Sequence, residues 1–98
     1  MPIEIVNETD AITIKLEGRL DTSTAPKLEQ TIDENLDVAK NLILDMTKLE
    51  YISSAGLRTL LAAQKKMNQT GKMKIIGVCD EVMEIFELTA FVDLLTIE

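Results

Sequence analysis

Strict alternation of apolar and polar residues marks the first regular segment of the chain. In "AITIKLEG" every second residue from Ile12 to Leu16 is apolar, and the residues between them are threonine and lysine. This period of two is typical of a strand with one buried face. The apolar run "IEIV" precedes it, and the polar "NETD" separates the two. The pattern predicts a β-hairpin over residues 3–17.

Two later segments repeat their apolar residues at the spacing of an α-helix. The loop "GRLDTSTAP" precedes the first, where Ser23 or Thr24 can cap the helix and Pro26 is tolerated in its first turn. The apolar stripe of this helix comprises Ala25, Leu28, Ile32 and Leu36. A second helix is predicted to begin near Ser54. Its core face comprises Leu57, Leu60, Leu61 and Met67, and its outer face Arg58, Lys65 and Gln69.

Continuous apolar runs alternate with the helices. "NLILD" predicts a central strand that ends at Asp45 and is covered on both faces, and "KMKIIGV" predicts a further buried strand. "MTKLEYI" is then a connection to the second helix, and Gly71 is a candidate left-handed cap at the end of that helix. A third helix is predicted over "DEVMEIFELTAF", capped by Asp80, and "LLTI" predicts a last short strand. The stripe of the third helix comprises Val82, Ile85, Phe86 and Thr89.

The order of these elements indicates the fold class. Two strands are followed by alternating helices and strands, which favours parallel pairing after the opening hairpin. We therefore predict a single α/β domain over residues 1–98, with a mixed β-sheet and helices packed against it. The length of 98 residues suits one modest hydrophobic core.

Charge and missing residue types narrow the function. The net charge of −7 disfavours nucleic-acid binding, because the phosphate backbone repels an acidic protein. The sequence lacks the basic amphipathic face and the long apolar run that favour membrane binding or insertion. Its first residues, "MPIEIVNETD", do not resemble a signal peptide. The single cysteine, Cys79, cannot form an internal disulfide and reads as a small apolar residue at a strand end. We expect a cytoplasmic protein that binds no nucleic acid.

Two adjacent serines, Ser53 and Ser54, stand where "LEYISSAGLRTLL" passes into the second helix. The Gly-x-Ser-x-Gly elbow of serine hydrolases is not matched, because Ile52 takes the place of the first glycine. The chain also has no histidine to act as general base. Gly56 alone does not make a phosphate-binding loop, and the acidic residues lack the spacing of a metal site. We predict no catalytic residue, cofactor or metal, which leaves plain helix caps or a modification site.

The pair of serines allows a division of roles. An N-cap serine folds its hydroxyl onto amides one turn ahead. If Ser53 does so, Ser54 takes the first helical position and its hydroxyl is free to point outward. A phosphate there would meet unsatisfied amides and the positive end of the helix dipole, whereas a docked partner would have to desolvate about two negative charges. This is the physical outline of an interaction switch.

Three segments carry a resemblance to a known family. "GRLDTSTAPKLEQ", "LILDMTKLEYISSAGLRTLLAAQKKM" and "MKIIGVCDEVMEIFELTAF" together resemble the STAS domain, in particular the bacterial anti-sigma factor antagonists. The family's common motif is Asp-Ser-Ser-Gly-Leu, with the phosphoacceptor directly after the Asp. On this chain Ser53 stands at the Asp position and Ser54 at the acceptor position, followed by Ala55, Gly56 and Leu57. The resemblance implies Ser54 as phosphoacceptor, with Ser53 as the alternative.

The resemblance also implies a mechanism. In that family the unphosphorylated antagonist binds an anti-sigma factor with serine kinase activity, phosphorylation breaks the complex, and a serine phosphatase restores it. Asp21 matches an acidic residue near the family's partner surface, with a turn role as the alternative. Arg58 is equally consistent with a partner contact, a phosphate contact or a plain surface residue. The implied partner-binding residues are Asp21, Thr22, Ser53, Gly56 and Arg58.

Two other functions stay open. Some STAS domains are subunits of lipid-transport complexes or of large stress-signalling assemblies, in which the serine can be incidental or the partner a scaffold. A small α/β hydrolase or nucleotide binder is the enzymatic alternative, and the missing histidine and glycine motifs weigh against it. The sequence therefore favours a regulator that is not an enzyme.

Overall fold

The computed structural model describes residues 2–35 and 40–98. These residues contain a mixed four-stranded sheet and three α-helices. The strands are β1 (Ile3–Asn7), β2 (Ala11–Leu20), β3 (Asn41–Ile52) and β4 (Lys72–Ile76). The helices are α1 (Ala25–Asn35), α2 (Ser54–Thr70) and α3 (Asp80–Leu88), and a 3-10 helix over Phe91–Asp93 follows. The strands lie in the order β1-β2-β3-β4, with β1 antiparallel to β2 and the other pairs parallel. The predicted fold class and the opening hairpin are confirmed, but β2 continues to Leu20, so the prediction that the loop "GRLDTSTAP" begins at Gly18 is wrong.

The sheet buries one face. Its buried residues are Ile12, Ile14, Leu16 and Leu20 of β2, Leu42, Leu44, Met46, Leu49 and Ile52 of β3, and Met73 and Ile75 of β4. Buried side chains of all three helices join the same core cluster. On the opposite face Ile43 and Ile76 are only half-buried, because the described helices leave that face open. The predictions that "NLILD" is covered on both faces and that "KMKIIGV" is a fully buried strand are therefore wrong.

β3 continues through "MTKLEYI" to Ile52, so the prediction that this segment is a connection is wrong. Two irregularities in the β2–β3 ladder, one near Glu17 and one near Arg19, each add one residue to β3. Because each extra residue displaces the alternation, the buried residues Met46, Leu49 and Ile52 lie three apart instead of two. The segment is therefore a strand, although its sequence does not alternate with a period of two.

The first two helices bury the faces that their spacing predicts. In α1 the buried residues are Ala25, Leu28 and Ile32, and the predicted Leu36 lies outside the described residues. In α2 the predicted Leu57, Leu60 and Met67 are buried, Leu61 is half-buried, and Arg58, Lys65 and Gln69 are exposed. The Lys66 ammonium and the Asp33 carboxylate join the two helices at 2.8 Å. That contact lies at the surface and contributes little stability.

Gly71 is the C-cap of α2, as predicted, but the predicted left-handed conformation is wrong, and so is the prediction that Asp80 caps α3. Gly71 has a φ of −177°, which is extended and not left-handed. A glycine is required there because a Cβ would collide with the carbonyl oxygen of Lys40. Asp80 is the first residue of α3, and the cap position belongs to Cys79, whose Sγ lies 3.4 Å from the carbonyl oxygen of Leu49.

The C-terminal segment differs from its prediction. α3 ends at Leu88 instead of continuing to residue 91, and Ala90 takes a left-handed φ of 63°. The predicted stripe is partly correct, since Val82 and Phe86 are buried, Ile85 is half-buried and Thr89 is exposed beyond the helix. "LLTI" makes a single parallel bridge between Ile97 and Ile75 in place of a strand.

Candidate functional site

Ser53 fastens the start of α2 to the sheet. Its backbone is extended, with φ −101° and ψ 176°, and its Oγ accepts a hydrogen bond from the N–H of Gly56 at 3.4 Å. Its carbonyl oxygen accepts from the N–H of Leu57 at 2.9 Å, and its own N–H donates to the carbonyl oxygen of Leu20 at 2.9 Å. The prediction that Ser53 is the N-cap of this helix is confirmed. Its hydroxyl is half-buried and engaged in that role.

Ser54 is the first residue of α2 and is exposed. Among residues 2–35 and 40–98, no side chain or backbone group forms a hydrogen bond with its hydroxyl. The first amides of a helix have no partner within the helix, and the aligned peptide dipoles give this end a partial positive charge. The exposed hydroxyl therefore lies at an end of α2 that favours a negative group.

Gly56 sets how closely α2 approaches the sheet. It is buried, and a Cβ at this position would lie 2.8 Å from Ile52 Cγ1 and 2.8 Å from Leu20 Cγ. Both distances are well below the usual carbon–carbon separation of about 3.5–4.0 Å. Gly56 is among the predicted partner-binding residues, and the structure places it beneath the surface. Its contribution is to let the two serines sit directly over the ends of β2 and β3.

The loop after β2 is organised by Asp21. Its Oδ1 accepts from the hydroxyl of Ser23 at 2.7 Å, from the N–H of Ser23 at 3.0 Å and from the N–H of Thr24 at 3.3 Å. The bond from the Ser23 hydroxyl is the largest cause of a lowered pKa of the Asp21 carboxyl. Asp21 directly follows Leu20, which accepts the Ser53 N–H, so this loop and the start of α2 are held side by side. The structure supports the turn role of Asp21, and its contact with a partner stays a prediction.

The predicted capping residues Ser23 and Thr24 act together with this loop. The carbonyl oxygen of Thr24 accepts the first helical hydrogen bonds of α1, which places Thr24 at the cap position. Its hydroxyl donates back to the carbonyl oxygen of Arg19 at 2.8 Å and accepts from the N–H of Asp21 at 2.8 Å. The side chain thus ties the loop to the end of β2.

Thr22 and Arg58 both line a groove between α1 and α2. Both are exposed and line the groove together with Ala25, Pro26, Glu29, Ala55, Thr59 and Ala62. Arg58 lies four residues after Ser54, so the two side chains share one face of α2. The groove brings residues predicted from two separate segments onto a single surface beside Ser54.

Two contacts of Arg19 at the site were not predicted. The guanidinium of Arg19 lies over the ring of Tyr51, 4.2 Å from its centroid, and its Nε lies 3.7 Å from Asp21 Oδ2. Arg19 and Tyr51 are opposite one another only because of the irregular pairing between β2 and β3. Nothing in the sequence signals that register, so the pair can be found only from the structure.

Within the described ranges, no group of three or more cysteine and acidic side chains is arranged to hold a metal ion. None of the helices in these ranges has the length and apolar character to cross a membrane.

Comparisons with known proteins identify the family. The family model for the STAS domain matches residues 2–98. The anti-sigma-B factor antagonist of Listeria monocytogenes is 31% identical over 94 residues, covering 93% of this chain and 82% of that protein. The fold is similar to that of the anti-sigma factor antagonist SpoIIAA in its unphosphorylated form, with a TM-score of 0.84, 14% identity, and coverage of 99% of this chain and 88% of that one. It is also similar to the Bacillus cell fate determinant SpoIIAA in the phosphorylated form, with a TM-score of 0.77, 13% identity, and coverage of 99% and 91%. The chain belongs to the STAS domain family.

Proposed function

We propose that this chain is an anti-sigma factor antagonist, a cytoplasmic binding protein that is not itself an enzyme. It binds an anti-sigma factor with serine kinase activity and releases it when Ser54 is phosphorylated. The observation that carries the proposal is the exposed Ser54, whose hydroxyl has no hydrogen-bond partner among the described residues, beside a separate capping hydroxyl on Ser53. The relatives named anti-sigma-B factor antagonist support the class of partner. SpoIIAA, solved in both forms, supports phosphorylation of a chain with this fold.

The helix terminus explains why the fold tolerates the modification. A phosphate on Ser54 adds about −1.5 to −2 charges and three acceptor oxygens at the positive end of α2. The cap does not have to be given up, because the hydroxyl of Ser53 holds the N–H of Gly56. Phosphate on Ser53 would instead remove that cap from a half-buried position. The geometry therefore favours Ser54 over Ser53 as the acceptor.

The same charge acts against a docked partner. A protein surface placed over the start of α2 would have to desolvate or pair the phosphate. Thr22 and Arg58, exposed on the groove, are the residues to which we assign direct contact with the anti-sigma factor. Asp21, Ser53 and Gly56 position them through the loop, the cap and the close packing. A serine phosphatase would return the chain to its binding form.

Phosphorylation in the native cell tests the acceptor. The protein is isolated with phosphatases blocked, and the peptide that contains both serines is fragmented to locate phosphate. We expect phosphate on Ser54 in the wild type and in Ser53→Ala, and none in Ser54→Ala. Phosphate on Ser53 alone would move the acceptor. No phosphate under any growth condition, with stable co-purification of a transporter ATPase, would replace the proposal by the scaffold function.

Binding to the co-purifying kinase tests the switch. Ser54→Ala should bind the kinase as wild type does and stay bound when ATP is added. Ser54→Asp should bind roughly 5–150-fold more weakly, the usual range for coupling between two sites. Equal affinity of Ser54→Asp and wild type, with unchanged circular dichroism, would contradict the mechanism.

A further inference from the structure

The end of α3 and the 3-10 helix carry large apolar side chains in contact with solvent. Leu88 is 78% exposed, Leu94 53% and Val92 37%. These three fall within seven residues of chain, and the 3-10 helix packs against α3. Exposed leucines are common singly, but a cluster of them indicates an interaction surface.

Acidic residues lie close to these side chains along the chain. Residues 75–98 contain six acidic residues and no lysine or arginine, so they hold six of the seven net negative charges of the chain. Glu84 lies four residues before Leu88 on the exposed stripe of α3, with Glu87 and Asp93 exposed nearby. We call this the C-terminal surface, comprising Glu84, Glu87, Leu88, Val92, Asp93 and Leu94.

The negative charge of the C-terminal surface is not compensated within the described part of the chain. The described ion pairs do not involve Glu84, Glu87 or Asp93. The last turn of α3 has no basic residue, so the negative end of its dipole adds to the charge of Glu87. A cation brought here from outside would therefore be favoured by several groups at once.

We propose that the C-terminal surface docks a segment of a partner protein whose apolar side chains are flanked by lysine or arginine. Charge complementarity selects this occupant. A second copy of the chain would bring another acidic surface against this one, and anionic lipid would likewise be repelled. The apolar side chains provide the buried contact, and the carboxylates select basic partners.

This docking site is separate from the site at Ser54. The segment after the 3-10 helix is held to β4 by the Ile75 N–H and the Thr96 carbonyl oxygen at 2.8 Å. It is held to α2 by the Thr96 N–H and Gln64 Oε1 at 3.1 Å. Gln64 lies ten residues after Ser54, which is about 15 Å along the helix. Occupation of the C-terminal surface should therefore not depend on the phosphorylation state, and the inference goes beyond the proposed function.

The test uses the full chain, labelled with ¹⁵N, and a short synthetic helix of leucine and lysine with all leucines on one face. We expect chemical-shift changes concentrated at Leu88, Val92 and Leu94, and weaker binding as salt rises. A peptide of the same composition with its leucines distributed around the helix should bind at least tenfold more weakly.

Variants decide whether the surface itself is responsible. Leu88→Ser with Leu94→Ser should weaken binding about tenfold or more, since a few central apolar contacts carry most binding energy. Val6→Ser is the matched control, because Val6 is 37% exposed on β1 and away from this surface. Ser54→Asp should bind the peptide as wild type does.

Several results would overturn the proposal. They are no binding, equal binding of both peptides, shift changes centred on Ser54, or no effect of the double serine variant. Self-association of the wild type that the double serine variant abolishes, measured by sedimentation, would assign the surface to a second copy instead.

Discussion

Replacing Gly56 by alanine should destabilise the protein, although alanine is the better helix former. Gly56 lies in the first turn of α2, buried over the ends of β2 and β3. The added Cβ would lie 2.8 Å from Ile52 Cγ1, 2.8 Å from Leu20 Cγ and 3.0 Å from the Leu20 carbonyl oxygen. These are inner atoms of buried residues and a backbone atom, so relief requires α2 to move away from the sheet.

The magnitude follows from two opposing effects. Overpacking a well-filled core costs about 1–3 kcal/mol. Exchanging glycine for alanine in a helix returns at most about 1 kcal/mol. With three close contacts the cost lies in the upper part of its range, so the net loss of unfolding free energy is about 1–2 kcal/mol.

Urea unfolding followed by circular dichroism measures this difference. For a small domain the midpoint should fall by about 1 M. Ala62→Gly is the matched control, because Ala62 is exposed on the same helix and reports the propensity effect alone, about 1 kcal/mol. If Gly56→Ala is as stable as the wild type or more so, α2 does not pack tightly at this point and the explanation of Gly56 fails.

Three further substitutions test local features of the fold. Ser53→Ala removes the cap of α2 and should lower the unfolding free energy by about 0.5–2 kcal/mol, whereas an unchanged urea midpoint would mean that the 3.4 Å bond to Gly56 contributes nothing. Ala90→Gly should raise the midpoint, since glycine adopts the left-handed φ of 63° without the cost of about 1–2 kcal/mol that other residues bear; a lower midpoint would refute this. Asp45 accepts from the hydroxyl of Thr47 at 2.6 Å, which is the main cause of its lowered pKa. The ionised Asp45 stabilises the folded state fully above the ordinary aspartate pKa of about 3.9, and this stabilisation is lost as pH falls through the lower pKa of the folded state. The difference in unfolding free energy between wild type and Asp45→Asn should therefore disappear in acid. A difference that does not change with pH would contradict this role of Asp45.

The sequence predicts those parts of the fold whose periodicity is undisturbed. β2 alternates without interruption from Ile12 to Leu16 and α2 keeps one apolar stripe, so the sequence predicts both elements, although β2 continues beyond the predicted bound to Leu20. The predicted β3 ends too early because two extra residues break the alternation of the strand. Such extra residues can be recognised only when the positions of both paired strands are known. The sequence does not predict the open face of the sheet, because Ile43 is an apolar residue in an apolar run. The helices of the described residues pack on the other face.

The site divides in the same way. The cap role of Ser53 and the position of Ser54 follow from local helix rules and needed no tertiary information. Gly56 was selected from a family motif, and only its neighbours in space reveal that it acts through packing. The Arg19–Tyr51 contact and the groove shared by Thr22 and Arg58 depend on how separate segments pair and pack, which a single sequence does not specify.

The departure of this chain from the common family motif has a physical consequence for the proposed switch. Serine and aspartate are about equally effective as N-caps, so the helix loses nothing when Ser53 stands where the family has aspartate. Next to a phosphorylated Ser54, however, an aspartate would add a like charge at close range, and a serine adds none. The phosphate would therefore meet the amides and the positive dipole of α2 without a carboxylate at position 53, which favours the phosphorylated form of the folded chain. Phosphorylation then changes position 54 of the proposed partner surface from an uncharged hydroxyl to a strongly negative group.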